Sequence, residues 1–459
     1  MKKENMYQDE IEQQIINKIT PTKKDREKLE KTIEEIHEKI EEEVKKKKIP
    51  VKIELVGSTA KDTYLKDNLD IDFFLLFPLS FSKNEIAKHV LSIGKKILIK
   101  TEESYAEHPY IRGYYKKYKV EIVPCYQIEK AIQKLSAVDR TPLHTRYIKE
   151  NLEEKQKKEV RLLKQFLKGI NCYGAEAEIE GFSGYLCELL ILKYGSFRKL
   201  IQQAQHWKTG ETLMLTSNDK QHPVFDTPLT FIDPVDSNRN VASALSKEKF
   251  ELFTKACQEY LKKPSTTFFF PNPVKPWSIK EIKNKFRKEK MYFIGISFHK
   301  PNIINENLYP QIRKTVKTIY ESASKQGFTI HDITYHVGRK KIYIIIKTDA
   351  EPLTETIIHM GPPVKLKKNS KDFLKKWQGN SRVVKGPYEK NGRYFVEIKR
   401  EYRNLKSYLS SELKKLSLGK NIEEIVKSNY ELLDLKDLLI DELKEFWTVY
   451  LDGKMSWER

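Results

Sequence analysis

Asp70 and Asp72 flank Ile71 at the head of the apolar run DIDFFLLF. Side chains at i and i+2 of a strand point the same way, so both carboxylates project from one face while Ile71 faces the other. Adjacent carboxylates repel unless a cation sits between them. Hard oxygen donors suit Mg²⁺, which takes one or two carboxylates together with substrate phosphates. A two-metal phosphoryl-transfer site needs a further carboxylate, and Glu121, in KVEIVP, offers one from a later strand. Upstream, Gly57-Ser58 follows a strand and opens a helix. Glycine lets the backbone approach a phosphate, and a helix N-terminus attracts anions. Ser58 adds a hydroxyl donor and Lys61 a positive charge. Phosphate cradle, spacer and metal carboxylates together describe a nucleotidyltransferase site, with Asp70, Asp72 and Glu121 as catalytic and metal-binding residues. Ordinary solvation of a strand end accounts for neither the glycine nor Glu121.

The elements that must hold these groups are readable from hydrophobic periodicity. Residues 8–49 read as helix, with Leu29, Ile33, Ile36 and Ile40 on one stripe. PVKIELVG alternates like a strand and is broken by Gly57, and STAKDTYL reads as a short helix. DIDFFLLF is a second strand, NEIAKHVLSIGKKIL a helix, and KYKVEIVPCY a third strand ended by Pro124. From about 151 to 265 strand signals fade. KEVRLLKQFLKGI and GYLCELLILKYGSFRKLIQQAQHW read as amphipathic helices, and DPVDSNRNVASALS as a polar turn opening another. The proline-rich KKPSTTFFFPNPVKPW reads as a linker. Beyond it MYFIGISF, a helix over NLYPQIRKTVKTIYESASKQGF, and ITYHVGRKKIYIIIKT give a β-α-β-β order similar to an RNA-recognition motif. Residues 363–420 carry 17 Lys/Arg against 5 Asp/Glu, interleaved with Tyr388, Tyr394, Phe395, Tyr402 and Tyr408. Basic plus aromatic is what a phosphate-contacting, base-stacking surface needs; the alternative is core aromatics among solvated lysines. A helical tail closes the chain, with Asn421 three residues before Glu424 as a helix cap. The expected fold is α+β multidomain: a head bearing the candidate catalytic carboxylates over 1–150, a helical neck over 151–270, and a body and tail over 271–459 whose basic, aromatic segment suits RNA.

Composition narrows the class. A formal charge of +21 over 459 residues points to a polyanionic partner, nucleic acid being the commonest, with a lysine-rich proteome as the alternative. Cysteines 125, 172, 187 and 257 form no CxxC and no His/Cys pairing, which argues against a zinc site or a disulfide framework and fits a reducing cytoplasm. No secretory signal and no membrane span is visible.

The motif GSTAKDTYLKDNLDIDFFLLFP resembles that of the polymerase-β nucleotidyltransferase superfamily. The remainder resembles archaeal-type (class I) CCA-adding enzymes through YAEHPY (105–110), VEIVPCY (120–126), SAVDRTPLH (136–144), EVRLLKQFLK (159–168), YGAEAEIEGFSGYLCELLILKYGSF (173–197), DPVDSNRNVA (233–242), NLYPQ (307–311), MGPPV (360–364) and LGKNI (418–422). These segments run in order through most of the chain. The resemblance implies a polymerase-β-like head, a helical neck and an RNA-recognition-motif-like body. It implies Mg²⁺-dependent, template-independent addition of C, C and A from CTP and ATP to the tRNA 3′ end. It places Asp70, Asp72 and Glu121 at the metal carboxylates, Ser58 and Lys61 at the head's triphosphate contacts, and Lys164 and Tyr173 at the neck's. His144 falls at a further nucleotide contact and Arg239 at the residue that reads the incoming base. Three positions depart from the family: Glu121 stands for a usual Asp, Lys61 for a usual Arg, and Asp62 for a usual Gly. A tail-adding polymerase or oligoadenylate-synthase-like enzyme shares the catalytic motif but not SAVDRTPLH or DPVDSNRNVA. A non-catalytic RNA-binding protein sits poorly with intact Ser58, Asp70 and Asp72. Expected partners are the tRNA acceptor stem and 3′ end, CTP and ATP, and no membrane; a homodimer stays open.

Overall fold

The computed structural model describes residues 2–67, 69–105, 109–215, 222–287 and 291–459, so part of the YAEHPY segment lies outside the described residues. Two compact units emerge: Met1–Pro273 together with Lys454–Arg459, and Val274–Gly453.

In the first unit the expected single helix over 8–49 is two, α1 (Lys2–Ile19) and α2 (Lys23–Lys46). The break falls at Thr20-Pro21-Thr22: proline cannot continue a helix, and Thr22 restarts one through a reciprocal capping box with Asp25. A five-stranded sheet follows, in the order β1-β2-β5-β4-β3. Its strands are β1 (Lys52–Val56), β2 (Asp70–Phe77), β3 (Ile99–Tyr105), β4 (Pro109–Tyr115) and β5 (Tyr118–Tyr126). A single helical turn α3 (Gly57–Ala60) replaces the longer helix expected for STAKDTYL, and α4 (Lys83–Ile97) stands as expected. Pro124 does not end its strand but pairs in parallel with Leu75. The ladder between β4 and β5 stops at Ile122, so Pro124 lies where β5 has a neighbour on one side only. Along β2, Ile71, Phe73, Leu75 and Phe77 pack into a core with α2 and α4. Phe74 and Leu76 join Val56, Val123 and Cys125 on the opposite face. Asp70, Asp72 and Glu121 share the parity of that second face.

The rest of the unit is helical: α5 (Thr141–Asn151), α6 (Glu154–Gly169), α7 (Gly184–Tyr194) and α8 (Phe197–Ala204), then strands β6 (Glu211–Leu213) and β7 (Leu229–Phe231) and helix α9 (Lys247–Lys262). The stretch expected as one amphipathic helix over GYLCELLILKYGSFRKLIQQAQHW is α7 and α8. Gly195 adopts the left-handed conformation (φ +83°) that ends α7, and Ser196 caps α8. Their core takes Ile11, Ile15 and Ile19 from α1 and Phe166, Phe182, Phe253 and Tyr260 from the neck. The returning segment 454–459 brings Trp457 onto Phe268 with ring centroids 5.2 Å apart, and its indole N–H donates to Glu259 (2.7 Å). The linker stretch therefore contains core residues, Phe268 and Phe269, ahead of the unit boundary.

The second unit holds α10 (Ile279–Phe286), β8 (Met291–His299), α11 (Asn305–Lys325), β9 (Ile330–Val337), β10 (Lys341–Asp349), β11 (Thr356–Pro363), α12 (Lys367–Trp377), β12 (Val383–Lys390), β13 (Arg393–Lys399), α13 (Leu405–Glu412), α14 (Lys420–Ser428), β14 (Glu431–Asp434), α15 (Leu435–Leu438) and α16 (Lys444–Asp452). A four-stranded antiparallel sheet runs β14-β8-β10-β9, the order of a β-α-β-β-α-β unit closed by α14 and β14. Between its third and fourth strands is inserted a three-stranded sheet, β11-β13-β12. Gly419, not Asn421, caps α14; Asn421 instead exchanges hydrogen bonds with Gln311. The interleaved aromatics divide by strand parity. Tyr394 lies against Phe373 beneath α12, and Tyr408 is core. Phe395, on the other face of β13, is flanked by Tyr388 and Met360 across the sheet, and Met360 is exposed. Only part of the expected aromatic surface is therefore accessible.

Candidate active site

Parallel pairing puts Asp72 beside Glu121 and Asp70 beside Lys119, while β1 places Val56 on the other side of Asp72. Gly57 then turns the chain with φ +71°, and a Cβ there would lie 2.2 Å from Asp72 Oδ2. Glycine is required twice over, by backbone conformation and by the packed carboxylate. Burial, together with the charges of Glu121 and Asp70, pushes the Asp72 carboxyl up to about 7. A carboxylate held that far from its ordinary value is short of positive charge, and three oxygen-donor side chains on one sheet face fit a hard divalent cation. Among the described residues no three His, Cys, Asp or Glu groups close as a ready metal cluster. Glu121 accepts from Arg112 Nε (2.7 Å), its neighbour across β4, and Asp70 accepts from Lys119 (3.4 Å).

Asp62 does not oppose phosphates. It sits at φ +50°, a conformation natural to the family's glycine and tolerated by aspartate. Its carboxylate turns away, accepting from Arg26 of α2 and from Arg161 Nη2 of α6 (2.5 Å). Arg161 also donates to the Tyr64 carbonyl (2.9 Å) and is almost fully buried. Asp62→Ala leaves Arg161 without its carboxylate and puts a Cβ-bearing neutral residue at positive φ. A loss of about 2 kcal/mol in unfolding free energy is expected, with Asp62→Gly losing less because it relieves the backbone term. Urea titration of the three proteins measures the difference.

Lys61 and Lys164 converge on a residue that reading the sequence missed, Glu188 of α7. Glu188 is fully buried. It accepts from Lys61 Nζ (2.6 Å) and Thr63 Oγ1 (2.6 Å), with Lys164 Nζ at 3.7 Å. Lys164 also donates to the Thr63 carbonyl (3.0 Å) and hydroxyl (3.2 Å). Burial pushes the Glu188 carboxyl up, but the two ammoniums and its hydrogen bonds outweigh it and hold it below the usual range. Burial pulls Lys164 below the ordinary lysine value, with Glu188 opposing. Two cations against one anion leave an excess positive charge on the floor of the site. Tyr173 lies at the same place: a Cβ on Gly184 would meet its hydroxyl at 3.3 Å and Lys164 Nζ at 3.7 Å. The N-terminus of α7, capped by Ser183, thus opens beside Lys164 and Tyr173.

His144 and Arg239 meet at Asp233, a second buried carboxylate. Its Oδ2 accepts from His144 Nε2 (3.0 Å) and Arg239 Nη1 (2.9 Å), and its Oδ1 from the Tyr185 hydroxyl and the Val235 N–H (both 3.1 Å). Burial pulls the His144 imidazole below the ordinary histidine value, with the Asp233 carboxylate opposing. The imidazole stacks on Tyr185 at 4.1 Å, and Lys61 Nζ lies 5.9 Å from the same phenol ring. Tyr185 therefore joins the Arg239 cluster to the Lys61 cluster. Within SAVDRTPLH, buried Asp139 accepts from the backbone N–H groups of Tyr126, Leu135 and Ser136 and so ties this segment to the end of β5. Arg140 donates to Asp236 of DPVDSNRNVA (2.9 Å). A lone Glu in the largely apolar α7, and an Asp heading DPVD, were the available signals for Glu188 and Asp233.

Family models match in order along the chain: "Nucleotidyltransferase domain" over residues 37–162, "tRNA nucleotidyltransferase, second domain" over 158–270, and "CCA-adding enzyme, C-terminal domain" over 289–434. A CCA-adding enzyme of Methanosarcina barkeri is 35% identical over 96% of this chain and 97% of its own. One of Methanocaldococcus jannaschii is 36% identical over 90% and 93%. The alignments to both relatives cover nine-tenths or more of this chain. The chain is a nucleotidyltransferase, and it belongs to the CCA-adding enzyme family.

Proposed function

We propose that this chain adds C, C and A, taken from CTP and ATP, to the 3′ end of tRNA without a nucleic-acid template. The observation that carries the reading is the shared face of Asp70, Asp72 and Glu121 beside the Gly57-Ser58 turn. The excess-positive cluster of Lys61, Lys164 and Glu188 supplies the complementary charge for a triphosphate. Asp70, Asp72 and Glu121 would hold Mg²⁺; bound there, the ion supplies Lewis acidity that lowers the pKa of an attacking hydroxyl and offsets charge on a leaving pyrophosphate. The tRNA 3′-oxygen forms a bond to the α-phosphorus as the bond from that phosphorus to the β-bridging oxygen breaks. Ser58 and the N-terminus of α7 offer donors to the phosphates, and Lys61, Lys164 and Tyr173 line the floor beneath them. His144 and Arg239, both oriented by Asp233, face the nucleoside. C and A share an exocyclic amine donor next to a ring-nitrogen acceptor on the pairing edge, and U and G reverse it, so an oriented guanidinium donor paired with a fixed acceptor, such as an RNA phosphate, favours the first pair.

The reading is tested with tRNA lacking its CCA end, Mg²⁺, and CTP and ATP given singly and together. Two C residues from CTP alone, one A only when ATP is also present, and no product after chelation of the metal are expected. A long homopolymeric tail, or incorporation that ignores the tRNA 3′ end, overturns it.

A further inference from the structure

We propose that Glu188 is a positioning residue for nucleotide binding, holding Lys61 and Lys164 aimed and charged beneath the triphosphate. This rests on the reading above that these lysines serve the triphosphate. Glu188 belongs to α7, Lys61 to the turn after α3, and Lys164 to α6, so one carboxylate ties three separate elements together. Thr63 completes the tie, donating to Glu188 and accepting from Lys164. All four side chains are more than nine-tenths buried. A lysine so deeply placed keeps its proton only if an anion faces it. Around Lys164 the charged and titratable groups are Glu188, Lys61, Cys187 and Arg161. Among them Glu188 is the ionised carboxylate, whereas Lys61 and Arg161 both oppose the ammonium. Glu188 is therefore what makes a two-lysine floor compatible with burial before any nucleotide arrives. Because it neutralises one of the two charges, it leaves a single net positive charge for the incoming anion.

Steady-state kinetics of Glu188→Gln in the full chain, from pH 6.5 to 9.5, test this. Glutamine preserves volume and hydrogen-bonding reach but not charge. The KM for CTP and ATP should rise about ten-fold, with kcat and the KM for tRNA changed less than about two-fold. The alkaline limb of the pH profile should move to lower pH, because Lys164 without its carboxylate loses its proton more readily. A folded Glu188→Gln protein with unchanged nucleotide KM and an unmoved limb overturns the proposal. If Glu188→Gln does not accumulate as folded protein, Glu188→Asp carries the test: a raised nucleotide KM with unchanged kcat and tRNA KM supports it, and an unchanged nucleotide KM overturns it. Lys164→Met separates the two levels. If it raises nucleotide KM while the Glu188 variants do not, the positioning role fails and the triphosphate reading stands. If it leaves nucleotide KM unchanged, the triphosphate reading itself fails.

Discussion

Asp72→Asn should abolish nucleotide addition, by about 10³-fold or more in kcat, while tRNA binding measured by filter retention stays within about two-fold. The side chain sits beside Glu121 on paired strands and packs against Gly57, where a Cβ would meet its Oδ2 at 2.2 Å. Asparagine keeps the shape and removes the charge, so the loss reports electrostatics rather than collapse. The same substitution should stabilise the protein in the absence of divalent metal. A carboxyl raised from its ordinary value of 3.8 to about 7 destabilises the fold when ionised. That cost is absent well below pH 4, grows as pH rises, and is complete above the folded-state value near 7. At pH 8 the metal-free variant should exceed the parent by about 1–3 kcal/mol in unfolding free energy, a gap that narrows toward pH 4. Adding Mg²⁺ should raise the melting temperature of the parent and not of the variant. Equal catalysis by parent and variant, or a variant less stable at pH 8, would remove Asp72 from the metal-binding role.

Arg239→Ala should flatten the choice among nucleotides. In the parent, CTP and ATP should exceed UTP and GTP in kcat/KM by about 10²-fold or more. In the variant, all four should be used at comparable, reduced efficiency. One of the guanidinium's five N–H groups is engaged by Asp233, and the side chain remains about a quarter exposed (28%). The arginine is thus oriented from behind while its remaining donors stay available to a base edge. Asp233→Asn should produce a weaker version of the same loss, because it releases Arg239, His144 and Tyr185 together. The measurement is single-nucleotide extension of tRNA ending before the CCA, with each triphosphate in turn. Selectivity retained in Arg239→Ala would mean that another group reads the base.

Much of the catalytic strand was legible because one pattern serves two ends. The alternation that buries Phe73, Leu75 and Phe77 against α2 and α4 also aims Asp70 and Asp72 the other way, so β2 falls at the residues read from the sequence. Strands β3 and β4 were not foreseen: IKTEESY and PYIRGYY are charged and tyrosine-rich, and pairing at the sheet's edge rather than hydrophobic alternation defines them. Glu188 was hidden for a related reason. The stretch reads as amphipathic as a whole, but in its first half, GYLCELLILKY, nearly every side chain is apolar and no polar face marks the carboxylate, whose partners lie 127 and 24 residues earlier, at Lys61 and Lys164. Such long-range charge pairing leaves no local trace. Asp62 shows the reverse. In the sequence it is a bare departure from the family pattern, and the structure supplies a local role, a positive φ and two arginine partners.

Trp457 follows directly after the second unit in the chain, yet its ring fills a slot over Phe268 in the first, and Ser456 donates to the Gly169 carbonyl at the end of α6. On the ribosome, then, the catalytic unit emerges with its aromatic core incomplete and stays so while some 180 further residues are synthesised. A nascent chain stalled before residue 454 presents the carboxylate strand and the lysine floor on a core lacking its last indole. Quality control that senses exposed apolar surface can therefore distinguish an interrupted chain from one translated through this segment, even though every group proposed for the chemistry has already been made.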